Sequence, residues 1–297
     1  MIGFYSAMTL FFVPHLSLGA ELSDDYHERS RMFGTRHAAY IIGSILSLVS
    51  LYFLINEEFD PNGDVRALAS DLGLLAVVIM FGLVIFAVAR LRERPEFQGR
   101  VKSSPVKAFK DVWQNPHARL LLIVTFIEHV GSSAIAALTL YVTHYVVGAP
   151  TWAPIIIFAY MLPSFASVPL WIPLSRRFGK IRVWIFGMIL TGVSFGAMFL
   201  LPFFEEVNTR LAWIISMAVF AGLANGCGGT IGPSVQGDVI DYDEHLTGER
   251  KEGAYFAAWN FVQKSALGVM LLLTGFVLDF SGFVPNVEQT MTVKMSM

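Results

Sequence analysis

Eight apolar stretches, each close to or above the length needed to cross a bilayer, make up most of this 297-residue chain, and its charges gather in the gaps between them. A helix needs about 20 apolar residues to traverse the hydrocarbon core. The stretches cover residues 2–20, 38–55, 72–89, 120–147, 152–174, 183–204, 211–235 and 254–280. An open strand cannot satisfy its backbone in lipid, so all eight are expected to be helices and the fold class is an all-α polytopic membrane protein. Composition supports this, with 15% charged residues against about 25% in a soluble domain. A net charge of −2 gives no electrostatic case for a nucleic-acid partner. The lipid bilayer is the first partner the chain implies.

Lysine and arginine set the orientation, because short cytoplasmic loops carry an excess of them. Arg29, Arg31 and Arg36 follow the first stretch. Arg90, Arg92, Arg94, Arg100, Lys102, Lys107, Lys110 and Arg119 follow the third. Arg176, Arg177, Lys180 and Arg182 follow the fifth, and Arg250 and Lys251 the seventh. These seventeen lie on one side, which is assigned to the cytoplasm; Arg66, Arg210 and Lys294 lie on the other, and Lys264 lies within a stretch. Eight spans then put both chain ends outside the cell, with no basic anchor before the first. The expectation is an incomplete chain, lacking spans at both ends.

Two cytoplasmic segments repeat. Asp25, Tyr26 and Glu28 recur as Asp241, Tyr242 and Glu244 at an offset of 216 residues, with basic residues and a tyrosine following in each. Each copy is expected to be a loop that follows one apolar span and opens the next. Repeated bundles of this kind build transporter folds, with the pathway between them. The charged, proline-containing segment between the copies reads as a linker. It divides the chain into a partial first bundle at 1–90 (three spans), a linker at 91–118, and a partial second bundle at 119–297 (five spans).

A few polar residues fall inside spans, where they are costly and therefore informative. Lys264 lies about ten residues into the eighth stretch, and a cation at mid-membrane costs about 2.5–3.5 kcal/mol on the insertion scale. It is expected to face a cavity or an acid, with Asn260 one turn away on the same face. Glu128 and His129 are neighbours in the fourth stretch, about 100° apart around a helix, so both cannot face lipid. They line the central cavity or form a polar pair between helices, and a histidine there could carry a proton. Tyr141, His144 and Tyr145 could stack on a sugar ring, although an aromatic belt at the membrane edge explains them better. Gly192 with Gly196, Gly222 with Gly226, and Gly228 with Gly232 are spaced for close helix packing. Pro14, Pro163, Pro169 and Pro173 are expected to kink their helices.

No catalytic constellation is present: there is no HExxH, GxSxG or phosphate-binding loop, so no enzyme activity is expected. Cys227 is the single cysteine and the seven histidines lack ligand spacing, which argues against an internal disulfide and against a metal site.

Three segments carry a family resemblance. The run VPHLSLGAELSDDYHERSRMFGTRH (13–37) resembles the loop between helices four and five of the glycoside–pentoside–hexuronide:cation symporters of the major facilitator superfamily. The run GDVIDYDEHLTGERKEGAYFAAWNFVQK (237–264) resembles that family's helix 10–11 junction, and GFVPNVEQ (282–289) is similar to its melibiose carriers. The resemblance places the chain as helices four to eleven of a twelve-helix, two-bundle fold. Three further spans would precede it and one would follow.

The resemblance implies cation-coupled uptake of a sugar or glycoside by alternating access, driven by Na⁺ or H⁺, in the bacterial inner membrane, by a protein that is monomeric at full length. The family has a lysine at the position of Lys264, near its cation and sugar sites. Phe12 stands at the helix-four position of a sugar-binding acid, which leaves a lipid or other amphipathic solute as an alternative substrate. An inactive fragment or a sensor is the alternative from another class. The resemblance also implies that Arg29 pairs with Asp238 or Asp241 to close the cytoplasmic side. The gate set comprises Asp25, Glu28 and Arg29 from the first copy of the repeat, and Asp238, Asp241, Glu244, Arg250 and Glu252 from the second.

Overall fold

A computed structural model describes residues 2–22, 25–55, 65–90, 105–249, 251–285, 287 and 289–296. The helices run in chain order as α1 (Ile2–Glu21), α2 (Tyr26–Ile55), α3 (Val65–Arg90), α4 (Pro105–Gln114), α5 (Pro116–Tyr141), α6 (Ala153–Ala166), α7 (Val168–Phe178), α8 (Lys180–Gly196), α9 (Val207–Thr247), α10 (Glu252–Ser281) and the short α11 (Met291–Ser296). The described residues contain no strand.

Five segments are long and apolar enough to span a membrane: Arg66–Arg90, Pro116–Val147, Lys180–Phe203, Val207–Thr247 and Glu252–Ser281. The pair α6 and α7 makes a sixth, bent by 48° at its break. The other two expected spans lie on α1, whose apolar part Ser6–Gly19 is shorter, and on α2. The bend has a local cause. Pro169 has no N–H to give to the carbonyl one turn back, and Pro163 interrupts the ladder one turn earlier. Ser167 bridges the break, its amide bonding to the Pro163 carbonyl at 2.9 Å.

Two elements differ from expectation. Neither copy of the repeat is a loop: Tyr26 and Glu28 of the first form the opening turn of α2, and the second lies within a helix. Helix α9 continues through Asp241 and Glu244 and stops only at Thr247, where Gly248 takes a left-handed φ of 68°. At 41 residues α9 is about 60 Å long, twice the hydrocarbon thickness, so its polar last turns extend beyond the apolar span. The expected linker is also partly helical. Helix α4 turns Val112 into the core and leaves Phe109 and Trp113 exposed. Asn115 then caps α5, accepting from the amides of His117 and Ala118 at 3.0 and 3.3 Å, with Pro116 in the first turn.

The chain divides by packing into two units, one of Met1–His37 with Lys102–Met297 and one of Ala38–Val101. In the first, α9 packs against α6, α7 and α8, while α10 packs against α5, α1 and α4. Phe33, Trp171, Trp184, Ile231, Tyr255 and Phe256 lie in one core cluster, and Val147, Ile156, Leu201 and Ile214 in another. Close packing is concentrated at Gly222 and Gly226. A β-carbon at either would come within 3.0 Å of a carbonyl oxygen of α6, that of Tyr160 or Ser164 respectively. Gly192 and Gly196 correct the packing expectation: a β-carbon at either meets nothing within 4 Å. In the second unit, the later part of α2 and helix α3 present mostly exposed side chains, as lipid-facing segments do.

Candidate functional site

The polar groups concentrate where α2 begins and α9 ends, at the side that the basic loops assign to the cytoplasm. Helix α2 starts at Asp25, whose Oδ1 accepts from the amides of His27 (2.7 Å) and Glu28 (2.8 Å). These bonds, that from Glu28 above all, hold the Asp25 carboxyl below its ordinary pKa. Asp25 is thus an N-cap. One turn on, the Arg29 side chain is only 2% exposed. Its guanidinium donates to both oxygens of Asp241, with Nη2 to Oδ1 at 3.1 Å, and its Nη1 lies 3.8 Å from Asp238. Asp238 and Asp241 stand one turn apart on α9 and so share a face.

Asp238 also accepts from Lys180 Nζ at 2.8 and 2.9 Å. The Lys180 side chain, at the start of α8, is 1% exposed. Three helices therefore meet in one alternating series, Lys180–Asp238–Arg29–Asp241. The sequence flags Lys180 only as one basic loop residue among many. Its partner is set by the unbroken run of α9 through the acids, which places Asp238 beside the start of α8. Gly179, at φ 88°, makes the sharp turn that starts α8 there.

Of the rest of the expected gate set, Glu28 is exposed, Glu244 is half-buried and Glu252 is buried in the first turn of α10. Arg250 lies outside the described residues. A second charge cluster sits nearby, at the turn between α9 and α10. Lys251 Nζ lies 2.9 Å from Asp111 of α4, 3.2 Å from Glu249 and 3.7 Å from Asp243. Lys107 of α4 lies 3.2 Å from Glu249. Burial alone would push the Lys251 ammonium down, but its bonds to Asp111 and Glu249, with the nearby carboxylate charges, outweigh that and hold its pKa above the ordinary value. The bonds from Lys107 and Lys251 pull Glu249 below its own. Beside them the buried Tyr255 hydroxyl accepts from Asn115 at 2.9 Å, joining α10 to the cap of α5.

Within the membrane, Lys264 is half-buried and donates to Thr9 Oγ1 of α1 at 2.5 Å. Phe12 is three residues beyond Thr9 and so near the same face of α1, with its ring edge-on to Phe11. Asn260 is half-buried one turn from Lys264. Glu128 points at α9, where a β-carbon on Gly228 would lie 3.4 Å from its Oε1. His129 Nδ1 is 2.9 Å from the Thr125 carbonyl of its own helix. The described residues hold no group of three or more potential ligands that could bind a metal.

At the opposite end, α5 runs into a six-residue π-helical stretch, Val142–Val147. There Tyr141 stacks near Tyr145, and Phe283 lies edge-on to both. His144 packs edge-on to Tyr145. These rings pack on one another as an aromatic belt does.

Comparison with known proteins agrees with this architecture. The chain is 23% identical over 287 residues to a glucuronide carrier protein homolog of Escherichia coli (strain K12), covering 95% of the chain and 60% of that protein. It is 24% identical over 284 residues to the inner membrane symporter YicJ of the same organism, covering 94% of the chain and 60% of that protein. It is 25% identical over 309 residues to a putative sulfoquinovose importer of Salmonella typhimurium, covering 99% of the chain and 60% of that protein. The chain thus spans about three-fifths of the length of these relatives. It is a multi-pass protein of the plasma membrane. The match to the family described as MFS/sugar transport protein, a family of transporters rather than enzymes, covers residues 1–297, and the chain belongs to that family.

Proposed function

We propose that the protein is a secondary active transporter that couples a cation, Na⁺ or H⁺, to the uptake of a sugar or glycoside by alternating access. The observation that carries this reading is the buried guanidinium of Arg29, shared between two acids 209 and 212 residues further along the chain. An ion pair of this kind suits a gate. Asp238 and Asp241 keep 27% and 41% of their side-chain surface exposed, so water can take over from Arg29 when the helices part. A fully dry pair would resist opening, because stranding a buried charge costs several kcal/mol. The conformer described here is then the one closed at the cytoplasmic side. Lys264 supplies a fixed positive charge at membrane depth, held by Thr9 next to the face that carries Phe12. A neutral Phe12 in place of an acid shifts recognition from charge-assisted hydrogen bonding towards stacking on the apolar face of a sugar ring.

The test is uptake of labelled glycosides into vesicles bearing the intact protein, under an imposed Na⁺ or proton gradient. Gradient-dependent uptake, lost in Lys264→Ala at normal membrane insertion, is the expected result. Uptake indifferent to both gradients, or a Lys264→Ala protein with wild-type uptake, contradicts the reading.

A further inference from the structure

The contact between α2 and α9 does not end at the ion pairs. Arg29, Ser30, Phe33, Gly34 and His37 recur at helical spacing, so they form one stripe along α2. Beyond Arg29, Ser30 Oγ lies 3.0 Å from Ser234 Oγ, both side chains buried. Next, a β-carbon on Gly34 would lie 3.0 Å from both Thr230 Cγ2 and Val168 Cγ1, so a side chain there would have to push these methyl groups aside. Deeper still, His37 Nε2 lies 3.2 Å from Ser164 Oγ, and Asn225 Nδ2 donates to that same hydroxyl at 2.8 Å. Ser164 is fully buried and His37 is 8% exposed. The His37 ring fills the space where a side chain at position 229 would stand.

Two of these three groups are fixed to one body. Ser164 lies just before the bend of the α6–α7 span, where α6 is clamped to α9. Gly222 and Gly226 admit the α6 carbonyls, while Ser167 Oγ and Trp171 Nε1 both donate to the Leu223 carbonyl, at 3.2 and 2.9 Å. Ser164 and Asn225 therefore move together, and His37 is the piece that arrives from α2.

We propose that His37, Ser164 and Asn225 form a second, uncharged latch that keeps α2 against α6 and α9 at membrane depth, in series with the Arg29–Asp238–Asp241 gate and able to hold when that gate is broken. His37 is a positioning residue in this account. The ion pair is open to salt and water, whereas the latch is neutral, with His37 and Ser164 buried and Asn225 half-buried, so it is insensitive to ionic strength. The idea rests on the gating reading above, yet its test does not require transport.

In a Cys227→Ser background, single cysteines at Ser234 and at Thr230 report the two levels through their labelling by an impermeant maleimide from the cytoplasmic face. Arg29→Ala should speed labelling at 234 while leaving 230 slow. Arg29→Ala with Ser164→Ala should speed labelling at 230 by roughly two- to tenfold, the range for one lost hydrogen bond. His37→Phe should substitute for Ser164→Ala, and His37→Gln should restore protection. Raising the salt should mimic Arg29→Ala but not Ser164→Ala. If Arg29→Ala alone exposes 230 as fully as 234, or if the double variant leaves 230 protected, the latch is overturned. A protein that transports no sugar fails the gating reading instead, and it shows as wild-type labelling that no glycoside alters.

Discussion

The two charge clusters at the cytoplasmic end look alike in composition and differ in what they join. Each surrounds a buried cation with carboxylates. The Arg29 cluster ties α2 to α9 across more than 200 residues of sequence, and through Asp238 to Lys180 of α8, and its acids are 27% and 41% exposed. The Lys251 cluster ties the α9–α10 turn to α4; Asp111 and Asp243, which flank Lys251 from α4 and α9, are only 19% and 7% exposed, while Glu249 in the turn itself is 45% exposed. The first arrangement suits surfaces that separate and the second suits surfaces that stay together. On the proposed gating reading, the same ion-pair chemistry serves as a gate at Arg29 and, with Asp111 and Asp243 more deeply covered, as a staple at Lys251.

The comparison breaks most readily at Arg29. Arg29→Ala should shift the balance between closed and open cytoplasmic ends by about 1–3 kcal/mol, or roughly 5- to 150-fold, the range of a coupling between two states. Cytoplasmic labelling at position 234 reads that shift, and thermal stability should change little. Lys251→Ala should do the reverse. Loss of the cation leaves Asp243 buried without it and frees α4, at a cost of about 2 kcal/mol in stability, with cytoplasmic labelling unchanged. Thermal unfolding followed by size-exclusion chromatography separates the two variants, and identical behaviour would erase the distinction between gate and staple. Within the gate, Asp241→Asn should affect closure more than Asp238→Asn. Asp241 accepts both hydrogen bonds from Arg29, whereas Asp238 lies 3.8 Å from it and its own two bonds, from Lys180, join α8 to α9 rather than α2 to α9.

The smallest effect is pH dependence at the staple. Glu249 sits below its ordinary pKa in the folded protein, so its contribution is present above about pH 4.5, the value for the free group, and is lost as pH falls through the folded value. Lys251 is shifted upward, so its share is present below its unfolded value and is lost only as alkaline pH passes the folded one. Glu249→Gln should flatten the acid limb of a stability–pH curve and also reduce the alkaline limb, because Lys251 loses one of the bonds that raise it.

Much of this was legible in the residues. Hydropathy located the membrane-crossing stretches, and lysine and arginine gave a side on which the charged ends of α2 and α9 could meet. The pairing of Arg29 with Asp238 or Asp241 comes from the family resemblance, and the one-turn spacing of the two acids agrees with it. Other features escaped because they depend on where helices end or meet. The polar DYDE segment reads as a loop by hydropathy, although its residues continue α9 with ordinary helix propensity and only Gly248 stops it. Helix α4 is ten residues long and amphipathic, so no span-length window finds it. His37 follows Arg36 and reads as one more basic loop residue, while Ser164 and Asn225 lie in different spans. Nothing in the spacing of these three predicts that a bend at Ser167 and close packing at Gly226 bring them together.

The most direct test of the gate is a reversible bond across it. With Cys227→Ser, cysteines at Ser30 and Ser234, whose hydroxyls lie 3.0 Å apart, can be joined by oxidation or a short bifunctional thiol reagent. The account predicts that joining them abolishes glycoside uptake and counterflow and that a reductant restores both to the oxidised pair. Wild-type transport by the joined protein would mean that α2 and α9 never part at the cytoplasmic end, and the gate would have to be sought elsewhere.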